Sequence, residues 1–298
     1  MTAQILDGKA IANDIKFDIG NEVTEKNIWP HLVAILCSND PASQVYVNKK
    51  MEACDQVSFK GSVVRLFENG IEQYSDPMRH LLDTIVMLNR DDKVHGILVQ
   101  LPLPSPLDKY RVFDAIDPLK DVDVFTPENV GLLLQGRPRY IPCTPQGIQE
   151  LLTRNGVQIS GKKVCIINRS DIVGKPLSAL LIQDHGEANA TVTTCHDKTP
   201  PDLLKRVCLA SDIIVVAVGI PGFLTADMVH SNNIVVDVGI SRIHKYGKSV
   251  IVGDVDPEVH EKVLAYSPVP GGVGPLTVAC LLRNTLKAYK LIKGMDEL

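Results

Sequence analysis

The stretch "KKVCIINRSDIVGKPLSALL", Lys162 to Leu181, decides the fold of the second half of the chain. It begins with a short apolar run that predicts a buried β-strand. After a polar turn, Gly174 and Pro176 open an apolar segment with helical spacing. A strand, a turn and a helix in this order form the unit in which α/β sheets hold phosphate groups. The turn lacks the G-x-G-x-x-G pattern, so nucleotide binding and a plain strand-to-helix turn remain alternatives at this point.

Similar apolar runs recur along the chain and alternate with segments of helical periodicity. In the second half the further runs are "ATVTTC" (Ala190 to Cys195), "DIIVVAVG" (Asp212 to Gly219), "NIVVDVG" (Asn233 to Gly239) and "VIVGDV" (Val250 to Val255). In the first half they are "HLVAILCS" (His31 to Ser38), "SVVRLF" (Ser62 to Phe67) and "HGILVQLPLP" (His95 to Pro104). The helical segments between these first-half runs open with Asp-Pro, a good helix start. The pattern predicts an α/β protein whose second half is a Rossmann-like, doubly wound parallel sheet.

The composition favours a small-molecule partner. A chain of 298 residues predicts two domains, and 45% hydrophobic with 22% charged residues is typical of a soluble protein. The net charge of -4 gives no long-range attraction for polyanions, so we expect neither nucleic acid nor a membrane surface as partner. Seven cysteines without a C-x-x-C pair, and no H-E-x-x-H pattern, predict a reducing compartment and no metal site. Because the N-terminal segment resembles no signal peptide, we expect a cytoplasmic protein.

Two charged residues near the predicted phosphate turn point in opposite directions on cofactor choice. Arg169 and Ser170 follow the strand, where a guanidinium and a hydroxyl can hold a phosphate. Asp197 lies just past the end of the next strand, where a carboxylate usually binds the adenine ribose hydroxyls and repels an added phosphate. Arg169 therefore favours NADP, whereas Asp197 favours NAD.

A tyrosine and a lysine in "SQVYVNKKM" share one face of a predicted helix. Tyr46 and Lys50 are four residues apart, about one helical turn, so Lys49 points elsewhere. Taken alone, this spacing is more typical of a solvated surface helix than of a catalytic pair. A lysine in a sheltered site can take part in proton transfer, since burial disfavours its charged form.

Five phrases occur in order along nearly the whole chain: "YVNKK", "VQLPLP", "KDVDVF", "NRSDIVGKP" and "SPVPGGVGPLTVA". Together they closely resemble the bifunctional methylenetetrahydrofolate dehydrogenase/methenyltetrahydrofolate cyclohydrolase (FolD) family. The resemblance implies NADP-dependent oxidation of methylenetetrahydrofolate to methenyltetrahydrofolate, followed by hydrolysis to formyltetrahydrofolate, in a homodimer. It also implies tetrahydrofolate derivatives as substrates and NADP as cofactor, with NAD possible.

The resemblance assigns roles residue by residue. The implied catalytic residues are Lys50, Tyr46 and Gln100. Lys50 is the catalytic lysine, Tyr46 helps to position the reacting one-carbon unit of the folate, and Gln100 hydrogen-bonds Lys50 and tunes it. Asp123 is implied to bind the amino and ring nitrogens of the pterin. The implied substrate-binding residues are Tyr46, Lys50, Val99, Gln100, Leu101, Asp123, Pro270, Gly271, Gly272, Val273, Gly274 and Thr277. The implied cofactor-binding residues are Asn168, Arg169, Ser170, Gly174, Asp197 and Ile240.

The chain departs from the family pattern at three positions. Val124 replaces the glycine of the usual "VDG", so we expect a different local backbone there. Asn168 replaces the glycine of "GRS", and Asp197 occupies a position often held by serine in NADP-using members. Because Arg169 and Ser170 remain, NADP stays the first expectation and NAD the alternative.

The predicted domains are a folate-binding catalytic domain and a nucleotide domain. The first contains residues 1–144 and 275–298, with the C-terminal helix returning to it, and the second contains residues 145–274. We expect that last helix to start near Pro275. Two alternatives remain open from the sequence: a dehydrogenase that lacks the cyclohydrolase step, and a non-catalytic nucleotide-binding regulator with the same doubly wound half.

Overall fold

The computed structural model describes residues 2–245 and 248–296. These residues form two compact units. The three-stranded unit contains residues 14–143 and 278–296, and the six-stranded unit contains residues 2–13 and 144–277. We name each unit after its parallel sheet.

Strands and helices alternate along most of both units. The strands are β1 (Gln4–Ile5), β2 (His31–Leu36), β3 (Lys60–Arg65), β4 (Gly96–Val99), β5 (Lys163–Ile167), β6 (Thr191–Cys195), β7 (Ile213–Val216), β8 (Ile234–Asp237), β9 (Ser241–Lys245), β10 (Lys248–Val252) and β11 (Ala265–Tyr266). The α-helices are α1 (Gly8–Glu25), α2 (Pro41–Gln56), α3 (Pro77–Arg90), α4 (Lys109–Ala115), α5 (Pro127–Leu134), α6 (Cys143–Arg154), α7 (Gly174–Leu181), α8 (Pro201–Ala210), α9 (Pro257–His260) and α10 (Val273–Ile292).

The three-stranded unit has the parallel order β3-β2-β4. Every residue of β2 and β4 is buried, as their continuous apolar runs predict. The helices α2 and α3 begin at the predicted Asp-Pro pairs. Asp40 accepts the N–H of Ser43 at 2.8 Å, and Asp76 accepts the N–H of Arg79 at 2.9 Å. These carboxylates satisfy N–H groups of the first helical turn that have no partner within the helix.

A buried histidine connects the start of β4 with the C-terminal helix α10. His95 is 3% exposed, its Nδ1 accepts the N–H of His31 at 3.1 Å, and its ring lies 4.7 Å from that of Tyr289. Its Nε2 has no hydrogen-bond partner. Burial lowers the pKa of His95 to about 4, and the charge of Lys293 acts in the same direction. The imidazole is therefore neutral at pH 7 in the folded protein.

We expect this histidine to make the protein less stable as the pH falls. Between about pH 6.5 and pH 4, His95 binds a proton in the unfolded chain but not in the folded protein. The contribution of His95 to the free energy of unfolding is therefore fully present above pH 6.5 and declines below it. The loss from this group should reach about 2 kcal/mol between pH 7 and pH 5. The check is denaturant unfolding of the wild type and of His95→Asn, which keeps an acceptor for His31. The difference between their free energies of unfolding should narrow by that amount from pH 7 to pH 5. A difference that does not change with pH would contradict a neutral, buried His95.

The six-stranded unit has the all-parallel order β1-β11-β8-β7-β5-β6. Four of the five predicted second-half strands are present in it as β5, β6, β7 and β8, which confirms the doubly wound parallel sheet. The run "VIVGDV" begins as a strand, as predicted, but its predicted place in the parallel sheet was wrong. Its first part belongs to β10, which pairs antiparallel with β9 in a separate two-stranded hairpin, and Asp254 lies in the turn that follows.

The N-terminal residues belong to the six-stranded unit, unlike the predicted boundary at residue 1. The reason is the pairing of β1 with β11, in which Gln4 lies opposite Ala265 and Ile5 opposite Tyr266. The helix α10 begins at Val273, two residues before the predicted start at Pro275. Its residues from 278 onward belong to the three-stranded unit.

Candidate functional site

The helix α2 presents a lysine to the carboxyl end of β4. Lys50 is partly buried, whereas Lys49 is exposed, as the helical spacing predicts. The Nζ of Lys50 donates a hydrogen bond to Oε1 of Gln100 at 3.1 Å. Tyr46 lies one turn before Lys50 on the same helix and is 38% exposed. Lys50 therefore has a fixed polar partner, unlike a solvated surface lysine.

The orientation of Gln100 is fixed from two sides. Gln100 directly follows Val99, the last residue of β4, and its backbone N–H donates to the carbonyl of Ile35 in β2 at 2.9 Å. Its side-chain Nε2 donates to the carbonyl of Leu101 at 2.7 Å. Because the amide nitrogen is used in this way, the amide oxygen faces Lys50.

The segment "KDVDVF" holds two buried charged residues with structural partners. The Nζ of Lys120 donates to the carbonyls of Leu88, Asn89 and Asp91 at 2.8 to 3.0 Å, at the end of α3. A cation at a helix C-terminus satisfies carbonyls that have no partner within the helix. Lys120 is thus part of the scaffold that supports the segment.

Asp121 fixes the loop that follows. It is 1% exposed, and its two oxygens accept the backbone N–H groups of residues 124, 125 and 126 at 2.9 to 3.0 Å. The hydroxyl of Thr126 and the side-chain amide of Asn129 complete the set at 2.7 and 2.9 Å. With these five donors, Asp121 has a structural role.

Asp123 has different surroundings. Burial raises the pKa of its carboxyl above the usual value, while the charge of Lys50 and a hydrogen bond with the Cys143 thiol act in the opposite direction. Asp123 therefore lies within electrostatic range of Lys50. A partly buried carboxylate beside a lysine, with capacity to accept further hydrogen bonds, is suited to bind a ligand that carries N–H groups.

Val124 adopts the backbone conformation that favours glycine. Its φ of +67° lies in the left-handed region, where a β-branched residue is a genuine outlier. The hydrogen bond from its N–H to Asp121 holds it there. The Asp121 network therefore imposes on Val124 the left-handed conformation that glycine adopts without strain.

In the six-stranded unit, Asn168 organises the turn between β5 and α7. Its Oδ1 accepts the N–H of Ser170 at 2.8 Å, the hydroxyl of Ser170 at 2.7 Å and the N–H of Gly174 at 2.9 Å. A Cβ atom on Gly174 would overlap the carbonyl group of Asn168, so this tight turn requires glycine. The turn is compact and preformed at the N-terminus of α7, which suits it to a phosphate ligand.

Arg169 and Asp197 form an ion pair at the carboxyl ends of β5 and β6. The Nη2 of Arg169 contacts Oδ1 of Asp197, and the Nζ of Lys198 lies 3.5 Å from Oδ2 of Asp197. Some desolvation opposes them, but these cations hold the pKa of Asp197 below its usual range. Both side chains are about half exposed. The two residues that disagree on cofactor choice are therefore bound to each other.

The glycine-rich turn lies between β11 and α10 in the six-stranded unit. The N–H of Gly272 donates to the carbonyl of Pro268 at 2.8 Å, which closes the turn that also contains Pro270 and Gly271. Val273, Gly274 and Thr277 lie in the first turns of α10. Ile240 is 45% exposed, and a Cβ on Gly274 would be 3.7 Å from its side chain.

The predicted site residues thus form three groups. The group in the three-stranded unit consists of Tyr46, Lys50, Val99, Gln100, Leu101 and Asp123. The other two groups belong to the six-stranded unit. They are the phosphate turn, residues 168–174, with Asp197, and the glycine-rich turn, residues 268–274. Sequence reasoning missed Lys120 and Asn284, whose Nδ2 donates to the carbonyls of Val122 and Ile141 at 2.9 Å and anchors α10 beside Asp123.

Within residues 2–245 and 248–296, no group of three or more histidine, cysteine or acidic side chains could hold a metal ion. No helix among the same residues combines the length and apolar character needed to cross a membrane.

The fold and the site define a two-unit α/β protein of the dinucleotide-binding class, with a lysine-glutamine pair in its other unit. The catalytic-domain profile of the tetrahydrofolate dehydrogenase/cyclohydrolase family matches residues 6–123, and its NAD(P)-binding-domain profile matches residues 142–293. The chain belongs to this family.

Individual relatives agree over nearly the full length. The protein named Bifunctional protein FolD from Aliarcobacter butzleri is 47% identical over 292 residues, which cover 96% of each chain. Its counterpart from Acetivibrio thermocellus is 45% identical over 295 residues, 98% of each chain.

Two crystal structures are similar in the same way. The FolD enzyme of Campylobacter jejuni has a TM-score of 0.88 at 43% identity and covers 97% of this chain and 99% of its own. The methylenetetrahydrofolate dehydrogenase-cyclohydrolase of Trypanosoma brucei, complexed with NADP and an inhibitor, has a TM-score of 0.89 at 36% identity. The similarity covers 97% of this chain and 98% of the Trypanosoma brucei chain.

Proposed function

We propose that the protein oxidises methylenetetrahydrofolate with a nicotinamide dinucleotide and then hydrolyses methenyltetrahydrofolate to formyltetrahydrofolate. The observation that carries this proposal is the hydrogen bond from Lys50 to Gln100, with Asp123 in electrostatic range, in one unit of the family's two-domain fold. Relatives that are similar to this chain over nearly their whole length bear the name of the bifunctional enzyme, which supports both activities.

The folate is proposed to bind at the residues of the three-stranded unit that surround Lys50. A carboxylate at position 123 can accept hydrogen bonds from the amino and ring N–H groups of a pterin, while Val99 and Leu101 flank Gln100 along the chain. The glycine-rich turn, residues 268–274, is proposed as a second contact for the substrate, because glycines let backbone approach a flat ring closely.

In the proposed hydrolysis, Lys50 moves one proton. Water adds to the methenyl carbon, which is a cationic amidinium centre, and must release a proton as the new C–O bond forms. The C–N bond to one ring nitrogen then breaks, that nitrogen gains a proton, and the added hydroxyl loses its proton as it becomes the formyl carbonyl. Lys50, held by Gln100 and one turn from Tyr46, is placed to take the first proton and to return it. The hydroxyl proton leaves to solvent, so the methenyltetrahydrofolate cation and water give neutral formyltetrahydrofolate and one released proton, without a further reactant.

The nicotinamide dinucleotide is proposed to bind along the carboxyl edge of the six-stranded sheet. When bound, its nicotinamide ring accepts the hydride from the methylene carbon. Hydride transfer needs no protein base, so the contribution of the protein is to position the two reactants. The residues proposed to hold the dinucleotide are Asn168, Arg169, Ser170, Gly174, Asp197 and Ile240, and the compact turn at Gly174 fits a phosphate group.

NADP is the sequence-based choice of cofactor, and the ion pair of Arg169 with Asp197 favours NAD as a specific second candidate. A phosphate on the adenine ribose would have to compete with Asp197 for Arg169. At about 4 Å, repulsion between two unit charges costs about 1 kcal/mol in water and about 4 kcal/mol at an effective dielectric of 20. The pair therefore weakens the argument for NADP that rests on Arg169 alone.

Replacing Asp197 with serine is expected to improve the use of NADP relative to NAD. The change removes the repelling charge and releases Arg169 for a phosphate. We expect the ratio of kcat/KM for the two cofactors to shift toward NADP by about tenfold, as a gain of ~1.4 kcal/mol would produce. Asp171→Ser, which changes the carboxylate that pairs with Lys175 at 2.6 Å in the same turn, is the matched control. An unchanged ratio would show that Asp197 does not face the ribose.

We also propose a cytoplasmic homodimer. All seven cysteines are buried thiols outside any disulfide, which supports a reducing compartment. The homodimer follows from the family resemblance, and light scattering of the purified protein tests it directly.

An absorbance assay tests the proposed function. Methylenetetrahydrofolate is offered with NAD or NADP, and reduced nicotinamide and methenyltetrahydrofolate are followed at their separate wavelengths. Preformed methenyltetrahydrofolate without cofactor is then offered alone. With a dehydrogenase that lacks the second step, preformed methenyltetrahydrofolate would decay only at its spontaneous rate. A non-catalytic regulator would produce neither reduced nicotinamide nor methenyltetrahydrofolate from methylenetetrahydrofolate.

A further inference from the structure

Two buried aspartates that none of the proposed steps uses lie at the carboxyl end of the six-stranded sheet. Asp237 is the last residue of β8, and Asp254 follows β10. Their exposed fractions are 4% and 0%. Aspartates are almost never fully buried unless they are paired, so their partners indicate what they hold in place.

Asp237 holds the turn in which Asp254 lies. Its Oδ1 accepts the N–H of Gly239 at 3.0 Å and the N–H of Asp254 at 2.9 Å. Its Oδ2 accepts the N–H of Val255 at 3.0 Å. One carboxylate therefore joins the exit of β8 to the segment that follows the β9-β10 hairpin.

Asp254 in turn holds the loop after β7. Its Oδ2 accepts the backbone N–H of Val218 at 2.6 Å and that of Gly219 at 2.9 Å. Its Oδ1 is buried without a hydrogen-bond partner. Gly219 has a φ of +71°, so the two consecutive N–H groups converge on one oxygen in a turn that glycine permits.

The two aspartates and two glycines pack reciprocally. A Cβ atom on Gly239 would overlap the carboxylate of Asp254, and a Cβ atom on Gly253 would overlap the carboxylate of Asp237. Each carboxylate thus fills the space that a side chain on the opposite segment would need. We call Asp237, Gly239, Gly253 and Asp254 the carboxylate clasp.

The strand order places the clasp opposite the adenosine side of the proposed cofactor site. Asp197 follows β6 and the phosphate turn follows β5, and next in the sheet come β7 and then β8. Neighbouring strands are about 4.8 Å apart, so the exits of β7 and β8 lie about 5 and 10 Å beyond the phosphate turn. A dinucleotide whose adenosine half lies over β6 extends its nicotinamide half over those exits.

We propose that Asp237 and Asp254 are positioning residues, which hold the loops after β7 and β8 in the conformation that receives the nicotinamide half of the dinucleotide. This inference rests on the proposed function. The aspartates act through the backbone of Val218, Gly219 and Gly239, and through Ile240, which directly follows Gly239.

The energetics of the clasp support a functional role. Burial raises the pKa of Asp237 to about 6, in spite of its three backbone donors and with the charge of Asp254 acting in the same direction as burial. The ionised carboxylate of Asp237 therefore opposes folding at pH 7, and the buried Oδ1 of Asp254 without a hydrogen-bond partner also costs stability. Such groups cluster where a fold maintains a site that stability alone would not favour.

The test compares Asp254→Ala and Asp254→Asn with a matched control, Asn233→Ala. Asn233 is also 0% exposed, but it precedes β8 at the amino end of the sheet, where its Nδ2 donates to the carbonyl of Ser211 at 2.6 Å. The first readout is the Kd for reduced nicotinamide dinucleotide, from its own fluorescence. The second is hydrolysis of preformed methenyltetrahydrofolate without dinucleotide, which reports the folded state of the Lys50 region.

We expect Asp254→Ala to raise the Kd by about tenfold or more, because two buried N–H groups lose their acceptor. Asp254→Asn keeps one accepting oxygen and should recover part of the affinity, while Asn233→Ala should change the Kd by less than about twofold. Hydrolysis without dinucleotide should persist in all three variants. If Asp254→Ala does not fold, Asp254→Asn against Asn233→Ala decides the question by the same comparison.

The positioning role of Asp237 and Asp254 would be overturned if the Asp254 and Asn233 variants changed the Kd equally, or if neither changed it. The proposed function would stand in both cases. A wild-type protein that binds neither NADH nor NADPH would instead remove the proposed function itself, and the positioning role with it.

Discussion

Lys50→Met is expected to abolish the hydrolysis of methenyltetrahydrofolate while folate binding remains measurable. Methionine keeps much of the length of the side chain but can neither donate to Gln100 nor carry a proton. Loss of a general acid-base group typically costs about 10²- to 10⁴-fold in rate. The measurement is the decay of preformed methenyltetrahydrofolate, with its KM recorded beside kcat.

Lys49→Met is the matched control for this variant. It makes the same substitution one residue earlier on α2, at an exposed position, and should leave kcat within about twofold because surface changes rarely matter. Gln100→Leu should reproduce part of the loss, since it removes the acceptor that orients Lys50. Undiminished hydrolysis by Lys50→Met would take Lys50 out of the mechanism.

Asp123→Ala is expected to raise the KM for the folate by about 10- to 100-fold, as the loss of hydrogen bonds to a charged acceptor typically does. The effect should fall on both reactions, because both use the same pterin. Steady-state kinetics with varied methylenetetrahydrofolate, and separately with varied methenyltetrahydrofolate, give the two KM values.

The neighbouring aspartate provides the contrast. Asp121 accepts five hydrogen bonds within the protein, so Asp121→Ala should lower the unfolding midpoint. Burial disfavours the charged form of Asp123, so Asp123→Ala should not lower that midpoint. An unaltered folate KM in Asp123→Ala would break the pterin assignment, and a loss of stability equal to that of Asp121→Ala would make Asp123 structural.

Local chemistry made part of the site predictable. The Asp-Pro opening fixed the start of α2, because Asp40 caps it with its own side chain, and helical periodicity then separated Lys50 from Lys49. The end of an apolar run placed Gln100 at the carboxyl end of β4. Such features depend on neighbours in sequence, which a pattern can reveal.

Features that depend on distant partners were not predictable in this way. The run "VIVGDV" reads as a buried strand, but an apolar run of that length does not say which strand it pairs with, and here the partner is β9 in a hairpin. The two-residue strands β1 and β11 carry no pattern at all, so the assignment of the N-terminal residues to the six-stranded unit depends on their pairing alone.

Buried charges were missed for a related reason. A lysine in a polar segment is expected at the surface, yet Lys120 is 5% exposed because three carbonyls at the end of α3 satisfy its ammonium group. Asp237 and Asp254 look like ordinary strand-end residues in sequence. Only the fold brings their carboxylates to backbone N–H groups of other segments.

A single time course with the wild-type protein tests the central claim most directly. Methylenetetrahydrofolate and the preferred dinucleotide are mixed with the enzyme, and reduced nicotinamide, methenyltetrahydrofolate and formyltetrahydrofolate are quantified together. We predict that the formyl product and reduced nicotinamide appear in equal amounts at the end, with methenyltetrahydrofolate passing through as an intermediate. Reduced nicotinamide that fails to appear, or methenyltetrahydrofolate that accumulates and decays only at its spontaneous rate, would contradict a bifunctional enzyme.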